Sequence, residues 1–230
     1  MKNSKKMVIG TLILFAVIAG LVLLLNRADE TAQETGQTMN SKGHPPIEGQ
    51  PTLGDAEAPV SIVEFGDYKC PSCKQWGETV YPQLIEDYVN PGKATFSYIN
   101  VLFHGNESIL ASLASESVFE QDPENFWSFH KAVFDAQPAT QEHDKQWVTV
   151  EKLKEIAAET APNVDLAQLE ADLNEEGTSA AAEVSKDDGL VKEYNVPFTP
   201  TIIIDGVMLE DPFDYEKIVS LIEEGSADNE

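Results

Sequence analysis

The chain has 230 residues, and its 15 lysines and arginines against 40 aspartates and glutamates leave a formal net charge of −25 at pH 7. A hydrophobic content of 42% is enough for a folded core, which argues against wholesale disorder. A polyanion repels phosphate, so we expect no nucleic-acid partner. Two cysteines and four scattered histidines are too few for a disulfide-stapled scaffold or a cysteine-based zinc site.

The first 27 residues carry a different charge from the rest. Their net charge is +4, whereas residues 28–230 hold 11 basic and 40 acidic side chains, a net charge of −29. Met7–Leu25 contains 19 residues without a charge, and as a helix it would span ~28 Å, close to the hydrocarbon thickness of a bilayer. Because three lysines precede it, we predict that residues 1–27 are a cytoplasmic stub and a transmembrane anchor.

A cleavable signal peptide is the alternative for this segment. Its apolar region would be shorter and followed by a small-x-small site, whereas Leu25–Ala28 has the sequence Leu-Asn-Arg-Ala. Either alternative places the remaining chain outside the cytoplasm, where disulfides form and persist. We expect a single-pass protein of the cell membrane with its globular part on the extracytoplasmic side.

A polar linker and a strand–helix–strand pattern follow the anchor. Residues 28–50 are polar and contain Pro45-Pro46, which predicts a linker. The next three elements predict a parallel βαβ unit. They are the strand Val60–Phe65, a helix from Cys70 to Tyr88 that Pro82 should kink, and the strand Ala94–Ile99.

The rest of the chain predicts a helical block and then a return to strand. Residues 105–192 repeat apolar side chains at helical spacing. Thr201–Ile204 and Val207–Leu209 flank an Asp205-Gly206 turn, which predicts a hairpin, and Asp214–Glu224 predicts a closing helix. We therefore predict an α/β fold. Its expected parts are one domain formed by residues 51–104 and 193–225, a helical insertion at 105–192, and a tail at 226–230.

The two cysteines, Cys70 and Cys73, are spaced as Cys-x-x-Cys at a predicted strand–helix junction. A helix N-terminus has unpaired amides and partial positive charge, which stabilise a thiolate. The first cysteine is then acidic and nucleophilic, and the second can close a disulfide with it. Three alternatives remain: a permanent disulfide, half of a metal site completed by another chain, and two inert thiols.

The segment Phe65–Cys73, Phe-Gly-Asp-Tyr-Lys-Cys-Pro-Ser-Cys, resembles the active site of DsbA-like thiol-disulfide oxidoreductases, and most of all the membrane-anchored BdbD type of Gram-positive bacteria. Val196–Thr201 is similar to the second motif of that family. The resemblance covers residues 50–225 and implies a thioredoxin-like fold with a helical insertion. It also implies that Pro200 is cis, that Thr199 offers backbone groups to an extended substrate, and that the exchange needs no cofactor.

Glu64 is a charged residue in an otherwise apolar strand. An outward-facing side chain is one explanation of this pattern. The resemblance implies another, since family members carry a buried acid six residues before the first cysteine. In that role Glu64 would exchange protons with Cys73, and burial would raise the pKa of its carboxyl.

The dipeptide Pro71-Ser72 is expected to tune the redox poise of the cysteine pair. It matches neither the Gly-Pro of thioredoxin-like reductants nor the Pro-His of strong oxidants of the DsbA type. The Ser72 hydroxyl can donate to the Cys70 thiolate, but it lacks the charge of an imidazole. The direction of electron flow therefore rests on the family resemblance, which favours an oxidant.

Three other side chains have structural explanations. Lys69, on the predicted turn beside Cys70, is expected to be solvated rather than to support the thiolate. Trp76, one turn into the active-site helix, is expected to pack in the core. His130 lies on the apolar stripe of a predicted helix, which predicts a packed histidine rather than a metal ligand.

A structural cation is a further expectation from the resemblance. Extracellular calcium is millimolar, and it prefers hard oxygen ligands. BdbD-type relatives can bind a cation between the thioredoxin frame and the helical insertion, and Gln50, Glu116 and Asp187 lie in segments that look like the matching ones. The sequence contains no Asp-x-Asp-x-Asp-Gly loop. The alternative is that these residues are a linker amide and two surface carboxylates.

The sequence thus predicts a monomeric thiol-disulfide oxidoreductase that introduces disulfides into unfolded exported proteins. The resemblance implies re-oxidation by a quinone-reducing membrane protein of the DsbB type. A membrane-anchored thiol reductase or disulfide isomerase is the alternative within the same chemistry. A binding module that uses the fold without thiol chemistry and a zinc- or copper-binding protein are alternatives from other classes.

Overall fold

The computed structural model describes residues 38–40, 43–139 and 145–228. The chain from Met39 onward forms one compact unit. Within the described ranges, no helix is both long and apolar enough to cross a membrane. The anchor predicted at Met7–Leu25 lies outside these residues.

A six-stranded sheet forms the centre of the unit. Its strands are β1 (Thr38–Asn40), β2 (Thr52–Leu53), β3 (Val60–Gly66), β4 (Ala94–Asn100), β5 (Thr201–Ile204) and β6 (Val207–Leu209). Their order in the sheet is β1-β6-β5-β3-β4-β2. β3 and β4 are buried along almost their whole length, because elements cover both faces of the sheet and the strands are correspondingly apolar.

The pairing of the strands agrees with the predicted βαβ unit and hairpin. β3 and β4 are parallel with Glu64 opposite Tyr98, and β3 and β5 are antiparallel with Glu64 opposite Ile202. β5 and β6 form the hairpin, whose turn residues Asp205 and Gly206 have φ angles of 45° and 85°. Positive φ at both central positions matches the twist of the strands, and Asp-Gly tolerates it.

Eight α-helices lie within the described residues. They are α1 (Pro71–Thr79), α2 (Tyr81–Leu84), α3 (Asn106–Gln121), α4 (Phe126–Asp135), α5 (Val150–Thr160), α6 (Leu166–Asn174), α7 (Ser179–Glu193) and α8 (Tyr215–Asp228). The single helix predicted after Cys70 is interrupted at Val80, and α2 ends in a π-helical turn, Ile85–Val89. Pro82 accounts for the break, because it has no amide hydrogen to continue the helix.

The two faces of the sheet have separate apolar cores. On one face, Phe96 packs in a cluster with Trp76 of α1 and Ile218 of α8. On the other face, Phe65 packs in a cluster with Val191 of α7. Alternate residues of β3 point to opposite faces, so one short strand serves both cores.

A third core joins the segment after β3 to the helical insertion. Tyr68, Cys70 and Cys73 share a buried cluster with Val118 of α3 and Phe129 of α4. The insertion therefore packs directly on the Cys-x-x-Cys segment. It contributes to the surroundings of the cysteines as well as to the fold.

The described part of the predicted linker at 28–50 is packed against the domain, which corrects the expectation of a free polar tether. β1 lies at one edge of the sheet. The Tyr194 hydroxyl donates to the carbonyl oxygen of His44 at 2.7 Å, and the Gln50 amide donates to Asp187 at 2.7 Å. An edge strand and isolated hydrogen bonds need no apolar periodicity, so polar composition alone does not reveal them.

The C-terminal end also differs from the prediction. α8 continues to Asp228, so the tail expected at 226–230 is helical at its start. The Ser226 hydroxyl donates to the Ile222 carbonyl at 2.8 Å, which adds a local hydrogen bond to the last turns. Gly225 therefore does not end the helix, although glycine is a common signal for a helix end.

Candidate active site

The two cysteines lie where β3 is followed by α1. Cys70 is the N-cap residue of α1 and has an extended backbone, and Pro71 occupies the first turn, where no amide donor is needed. Cys73 is one turn into the helix. Both side chains are free thiols, and Cys70 is 7% exposed whereas Cys73 is 1% exposed. Cys70 is therefore the more accessible sulfur.

The Cys70 thiol is strongly acidified. A hydrogen bond from the Cys73 thiol is the largest influence, and the pKa of Cys70 is lowered to about 5. Burial acts in the opposite direction, while the Thr199 side chain and the backbone amides of Cys73 and Ser72 lower the pKa further. These donors converge at a helix N-terminus, as the sequence predicts. At neutral pH the reduced site therefore holds a Cys70 thiolate.

Cys73 has the opposite character. Burial is the main cause that raises the pKa of Cys73 well above its usual value, and the hydrogen bond to Cys70 and the charge of Cys70 add to it. The backbone amide of Asp67 donates to Cys73 Sγ at 3.4 Å. One sulfur is thus a charged nucleophile and good leaving group, and the other remains protonated, which is the asymmetry that disulfide exchange uses.

The loop before β5 faces Cys70. The Thr199–Pro200 peptide bond is cis, as the resemblance implies. Cys70 Sγ lies 3.3 Å from the carbonyl oxygen of Thr199. Pro200 is buried and Thr199 is half-buried.

Glu64 is buried behind the cysteines. It is 3% exposed, so the explanation of an outward-facing strand residue is wrong. Burial is the largest cause that raises the pKa of Glu64 to about 8, and the charge of Cys70 adds to it. Desolvation of a buried acid disfavours its charged form, which accounts for the direction of this rise. The charge of Glu64 in turn contributes to the raised pKa of Cys73.

A cavity of about 470 Å³ connects this acid to the surface. Its lining includes the buried Glu64 and Cys73 at one end and the exposed Glu78 and Lys131 at the other. His130 lies on its wall. The cavity therefore gives water a route to the carboxyl of Glu64 that does not pass Cys70.

The packing predictions for two side chains are confirmed. His130 is buried, and its Nδ1 lies 2.8 Å from the Tyr68 hydroxyl. Burial lowers the pKa of His130 to about 3, so it stays neutral. The Trp76 indole donates to the carbonyl oxygen of Pro212 at 2.8 Å, which satisfies its only polar group in the core.

Asp67 is not among the site residues predicted from the sequence, yet it is fully buried in the active-site turn. Its carboxylate accepts hydrogen bonds from the Lys69 amide at 2.8 Å and the Ser108 hydroxyl at 2.9 Å, and it lies 2.8 Å from Nδ1 of His104. The Cys70 amide donates to its carbonyl oxygen at 2.9 Å. An aspartate that bonds the amide two residues ahead is a common turn signal, but no pattern in the sequence indicates its contact with His104.

The prediction that Lys69 is solvated is wrong. Lys69 is buried, pairs with Glu107 of α3, and donates to the carbonyl oxygen of Lys145 at 2.9 Å. Glu107 also accepts from the backbone amides of Trp147 and Val148, each at 2.9 Å. Lys69 therefore ties the active-site turn to the helical insertion. Its partners are distant in sequence, so local composition does not predict them.

Known proteins resemble this chain in both sequence and structure. A family model described as Thioredoxin matches residues 47–224. The chain is 41% identical over 181 residues to the disulfide bond formation protein D of Bacillus subtilis (strain 168), which is 79% of each chain. A probable disulfide bond formation protein D of Bacillus cereus is 32% identical over 217 residues, which is 94% of this chain and 96% of the relative.

The crystal structure of oxidised BdbD from Bacillus subtilis is similar with a TM-score of 0.77 and 40% identity, covering 82% of this chain and 98% of that one. The chain belongs to the BdbD family of DsbA-like proteins. The DsbA of Chlamydia trachomatis shares the fold with a TM-score of 0.66 and 21% identity, covering 80% of this chain and 95% of that one.

Membership of the BdbD family identifies the chemistry of the site. The chain is a thiol-disulfide oxidoreductase, and its exchange reaction needs no cofactor. The reaction involves substrate thiols and a redox partner. Inert thiols and a binding module without thiol chemistry are therefore not retained as alternatives.

The three residues that the BdbD-type resemblance suggests as cation ligands lie together. The side-chain amide of Asn100 donates to Glu116 at 2.6 Å and to Asp187 at 2.8 Å, and Gln50 donates to Asp187 at 2.7 Å. Glu116 and Asp187 are buried, so the alternative of surface carboxylates is wrong. Among the residues that the structure describes, no cluster of three or more His, Cys, Asp or Glu side chains could hold a metal ion. This cluster instead has two carboxylates and two amides.

The oxygen atoms of this cluster have the character of cation ligands. Burial, followed by the charge of Asp187, raises the pKa of Glu116 to about 8, and burial raises the pKa of Asp187 to about 6. Gln50 Oε1 and Asn100 Oδ1 are buried without a hydrogen-bond partner among the described residues. Carboxylate and amide oxygens of this kind fit a hard cation such as Ca²⁺.

Proposed function

We propose that this enzyme is a disulfide donor that introduces disulfide bonds into unfolded exported proteins at Cys70-Pro71-Ser72-Cys73. The observation that carries the proposal is the position of Cys70 at the N-cap of α1 beside the Cys73 thiol, which lowers the pKa of Cys70 to about 5. Such a thiolate stabilises the reduced enzyme, which makes the oxidised enzyme a stronger oxidant. The names of the relatives, which refer to disulfide bond formation, support the same direction.

The reaction begins with the oxidised enzyme. A client thiolate attacks Cys70 Sγ, the Cys70–Cys73 bond breaks, and Cys73 leaves with the bonding electron pair. A second client thiolate then attacks the client sulfur of the mixed disulfide and releases the Cys70 thiolate. The client loses two electrons in forming its disulfide, and the enzyme retains them as a thiolate and a thiol.

Glu64 supplies the proton that Cys73 takes up when it leaves. With a pKa of about 8, the carboxyl is protonated at neutral pH and lies behind the cysteine pair. Water in the cavity can then carry a new proton from the surface to the Glu64 carboxyl. When the enzyme is re-oxidised the direction reverses, and Glu64 accepts the proton of Cys73 as a general base.

The client lies along the Thr199–Pro200 loop. The carbonyl oxygen of Thr199 is 3.3 Å from Cys70 Sγ. A client segment that is hydrogen-bonded to the backbone of Thr199 would therefore have its own sulfur within reach of Cys70, a form of strand addition. Pro71 and Ser72 tune the potential, and the backbone amide of Ser72 contributes to lowering the pKa of Cys70.

The enzyme acts as a monomer on the extracytoplasmic side of the cell membrane. The support for this location is Met7–Leu25, which has no charge, and the three lysines before it. We assign re-oxidation to a quinone-reducing membrane protein of the DsbB type, because two electrons must leave the enzyme in each cycle. Labelling of single cysteines placed at residues 3 and 35 with a membrane-impermeant reagent, in a Cys70→Ser/Cys73→Ser background, tests the topology. In intact cells we expect labelling of the cysteine at residue 35 and no labelling at residue 3. Labelling at residue 3 would contradict the proposed topology.

A structural Ca²⁺ ion is the second part of the proposal. Glu116 and Asp187 would supply carboxylate oxygens, and Gln50 and Asn100 would supply carbonyl oxygens. A rotation of about 180° of either side-chain amide would turn its carbonyl oxygen toward the carboxylates. The ion would hold the insertion and the N-terminal segment against the sheet and would neutralise two buried carboxylates.

The equilibrium reduction potential of the full-length protein in detergent, measured against a glutathione series, tests the direction of exchange. A potential of about −120 mV, or any potential clearly above the thioredoxin value of about −270 mV, supports a disulfide donor. A value at or below that of thioredoxin would contradict it and favour a reductase or isomerase. Thiol-oxidase activity that survived Cys70→Ser would contradict the role of the pair itself.

A further inference from the structure

A histidine that the exchange mechanism does not use lies beside the active-site turn. His104 is in the loop between β4 and α3, and its side chain is 37% exposed. Its Nδ1 lies 2.8 Å from Oδ2 of Asp67, and its backbone amide donates to the same oxygen at 3.2 Å. The Ser108 hydroxyl lies 2.9 Å from both oxygens of that carboxylate. The imidazole is therefore held in one position by a buried carboxylate while one side remains open to solvent.

Asp67 also contacts both cysteines. Its carbonyl oxygen accepts from the Cys70 amide at 2.9 Å, and its own amide donates to Cys73 Sγ at 3.4 Å. The imidazole, the carboxylate, the Cys73 sulfur and the backbone amide of Cys70 thus belong to one hydrogen-bonded turn. The charge of Cys70 acts on the imidazole, since it is one of the influences that raise the pKa of His104.

We propose that His104 is a positioning residue for the exchange reaction: held by Asp67, its imidazolium stabilises the Cys70 thiolate of the reduced enzyme. The dipeptide between the cysteines, Pro71-Ser72, has no cationic side chain. The fold therefore brings an imidazole to the thiolate from outside the Cys-x-x-Cys segment. The established chemistry requires only the thiol pair, so this role is additional to it.

The other charged groups around His104 come from three elements. Asp67 and Lys69 belong to the turn after β3, Cys70 caps α1, and Glu107 lies in the first turn of α3. Lys69 disfavours the charge on His104, but its ammonium is paired with Glu107. The hydrogen bond to Asp67 is the largest influence that raises the pKa of His104 above 6.5, burial opposes it, and the charges of Asp67 and Cys70 add to the rise.

The two charges coexist in a defined pH range. The thiolate is present above the pKa of Cys70, about 5, and the imidazolium is present below the pKa of His104, which is raised from its ordinary value. The electrostatic stabilisation of the thiolate by the imidazolium is therefore present above about pH 5 and is lost as pH rises through the pKa of His104. Linkage makes the effect reciprocal, so reduction of the disulfide must raise the pKa of His104.

Histidine NMR titration of the full-length protein in detergent, in the oxidised and reduced forms, tests this linkage. We expect the pKa of His104 to be higher in the reduced form by about 0.5 unit or more, as for one screened charge nearby. The signal is assigned by its loss in His104→Asn. His130, with a pKa lowered to about 3, should not titrate and serves as an internal control. Identical His104 titrations in the two forms, or no titration between pH 4 and 9, would overturn the proposal.

Two substitutions separate the charge from the hydrogen bond. Asparagine at His104 can still donate to Asp67 but has no charge, whereas lysine restores a cation. We expect His104→Asn to raise the pKa of Cys70, followed by thiolate absorbance, by about 0.5–1 unit, and His104→Lys to restore part of this shift. The matched control is His44→Asn, in the N-terminal segment that is hydrogen-bonded to Tyr194. This substitution should leave the pKa of Cys70 unchanged. An unchanged pKa of Cys70 in a folded His104→Asn protein would show that the histidine is only structural.

Discussion

The ring of Tyr98 occupies the space that a side chain at Gly66 would fill. A Cβ atom added at Gly66 would lie 2.4 Å from Cε2 of Tyr98, 2.9 Å from its hydroxyl oxygen and 3.0 Å from Oε1 of Glu64. Gly66 is not among the glycines with positive φ, so space rather than backbone conformation requires a glycine here. The phenol and the buried carboxyl can approach the end of β3 because no side chain stands between them.

Gly66→Ala should therefore destabilise the protein. The added methyl group must displace the fully buried Tyr98 ring, and overpacking of a core costs about 1–3 kcal/mol. Urea unfolding measures the loss. Gly189→Ala in α7 is the matched control, because a Cβ there meets no atom within 4 Å and alanine favours a helix by about 0.5–1 kcal/mol. If both variants shifted the urea midpoint of unfolding in the same direction, the close contact with Tyr98 would not be the reason that position 66 requires glycine.

Glu64→Gln should make the protein more stable in alkaline solution. The pKa of Glu64 is about 8 in the fold against an ordinary value of 4.5, so the unfolded state binds fewer protons between these values. The stability of the wild type is then complete below pH 4.5 and falls as pH rises through 8. Glutamine has no charge to bury. The free energy of unfolding of Glu64→Gln should therefore exceed that of the wild type at pH 8, and the gain should be absent near pH 4. Urea unfolding at both pH values measures it, and equal pH dependence in the two proteins would contradict a buried acid.

The same substitution should slow the exchange. Glutamine cannot give a proton to Cys73 or accept one from it, and loss of a general acid–base group typically costs ~10²-fold or more in rate. Stopped-flow measurement of enzyme reduction by a model dithiol at pH 7 follows this step. Glu78→Gln, at the exposed end of the cavity, is the comparison variant and should retain most of the rate. A Glu64→Gln enzyme as fast as wild type would show that protons reach Cys73 by another path.

Cys73→Ala should trap client proteins and make Cys70 less acidic. Without Cys73, the Cys70 thiolate can still attack a client disulfide and release one client sulfur as a thiolate. No second enzyme thiol can then resolve the mixed disulfide, so covalent adducts with disulfide-containing clients should accumulate. The hydrogen bond from Cys73 is the largest influence that lowers the pKa of Cys70 to about 5, so its removal should raise that pKa by at least ~1 unit. Thiolate absorbance measures the shift. Cys73→Ser keeps a donor and should show a smaller rise; equal values in both variants would contradict the role of the hydrogen bond.

The fold could be predicted from local patterns wherever an element is long and apolar. Val60–Gly66 is a β-branched run that stays buried from both faces, and Asp205-Gly206 directs a tight hairpin turn by its backbone preferences. The two-residue strand Thr52–Leu53 and the edge strand Thr38–Asn40 have no such pattern. Their position depends on hydrogen bonds to strands that are distant in sequence, so only the three-dimensional structure reveals them.

The site could be predicted where chemistry needs a fixed spacing. Cys70 and Cys73 are one helical turn apart, and a charged residue in an apolar strand identified Glu64. The partners of Lys69 and Asp67 could not be predicted in this way, since Glu107 and His104 approach only when the insertion packs on the active-site turn. Side chains that modulate a reactive group through tertiary contacts have no sequence spacing to mark them.

Calcium should stabilise the protein through the oxygen cluster around Asn100. At 10 mM Ca²⁺, a site with a dissociation constant of about 1 mM would add about 1.4 kcal/mol to the free energy of unfolding. Asp187→Asn should remove this gain while leaving the calcium-free protein at least as stable, because it takes away one of two buried carboxylates that repel each other. Thermal unfolding with and without Ca²⁺ measures both effects. Asp188→Asn changes the neighbouring acid, which pairs with Lys192 at the surface, and should keep the full response. A calcium response that is equal in Asp187→Asn and wild type would place the ion elsewhere on the acidic surface.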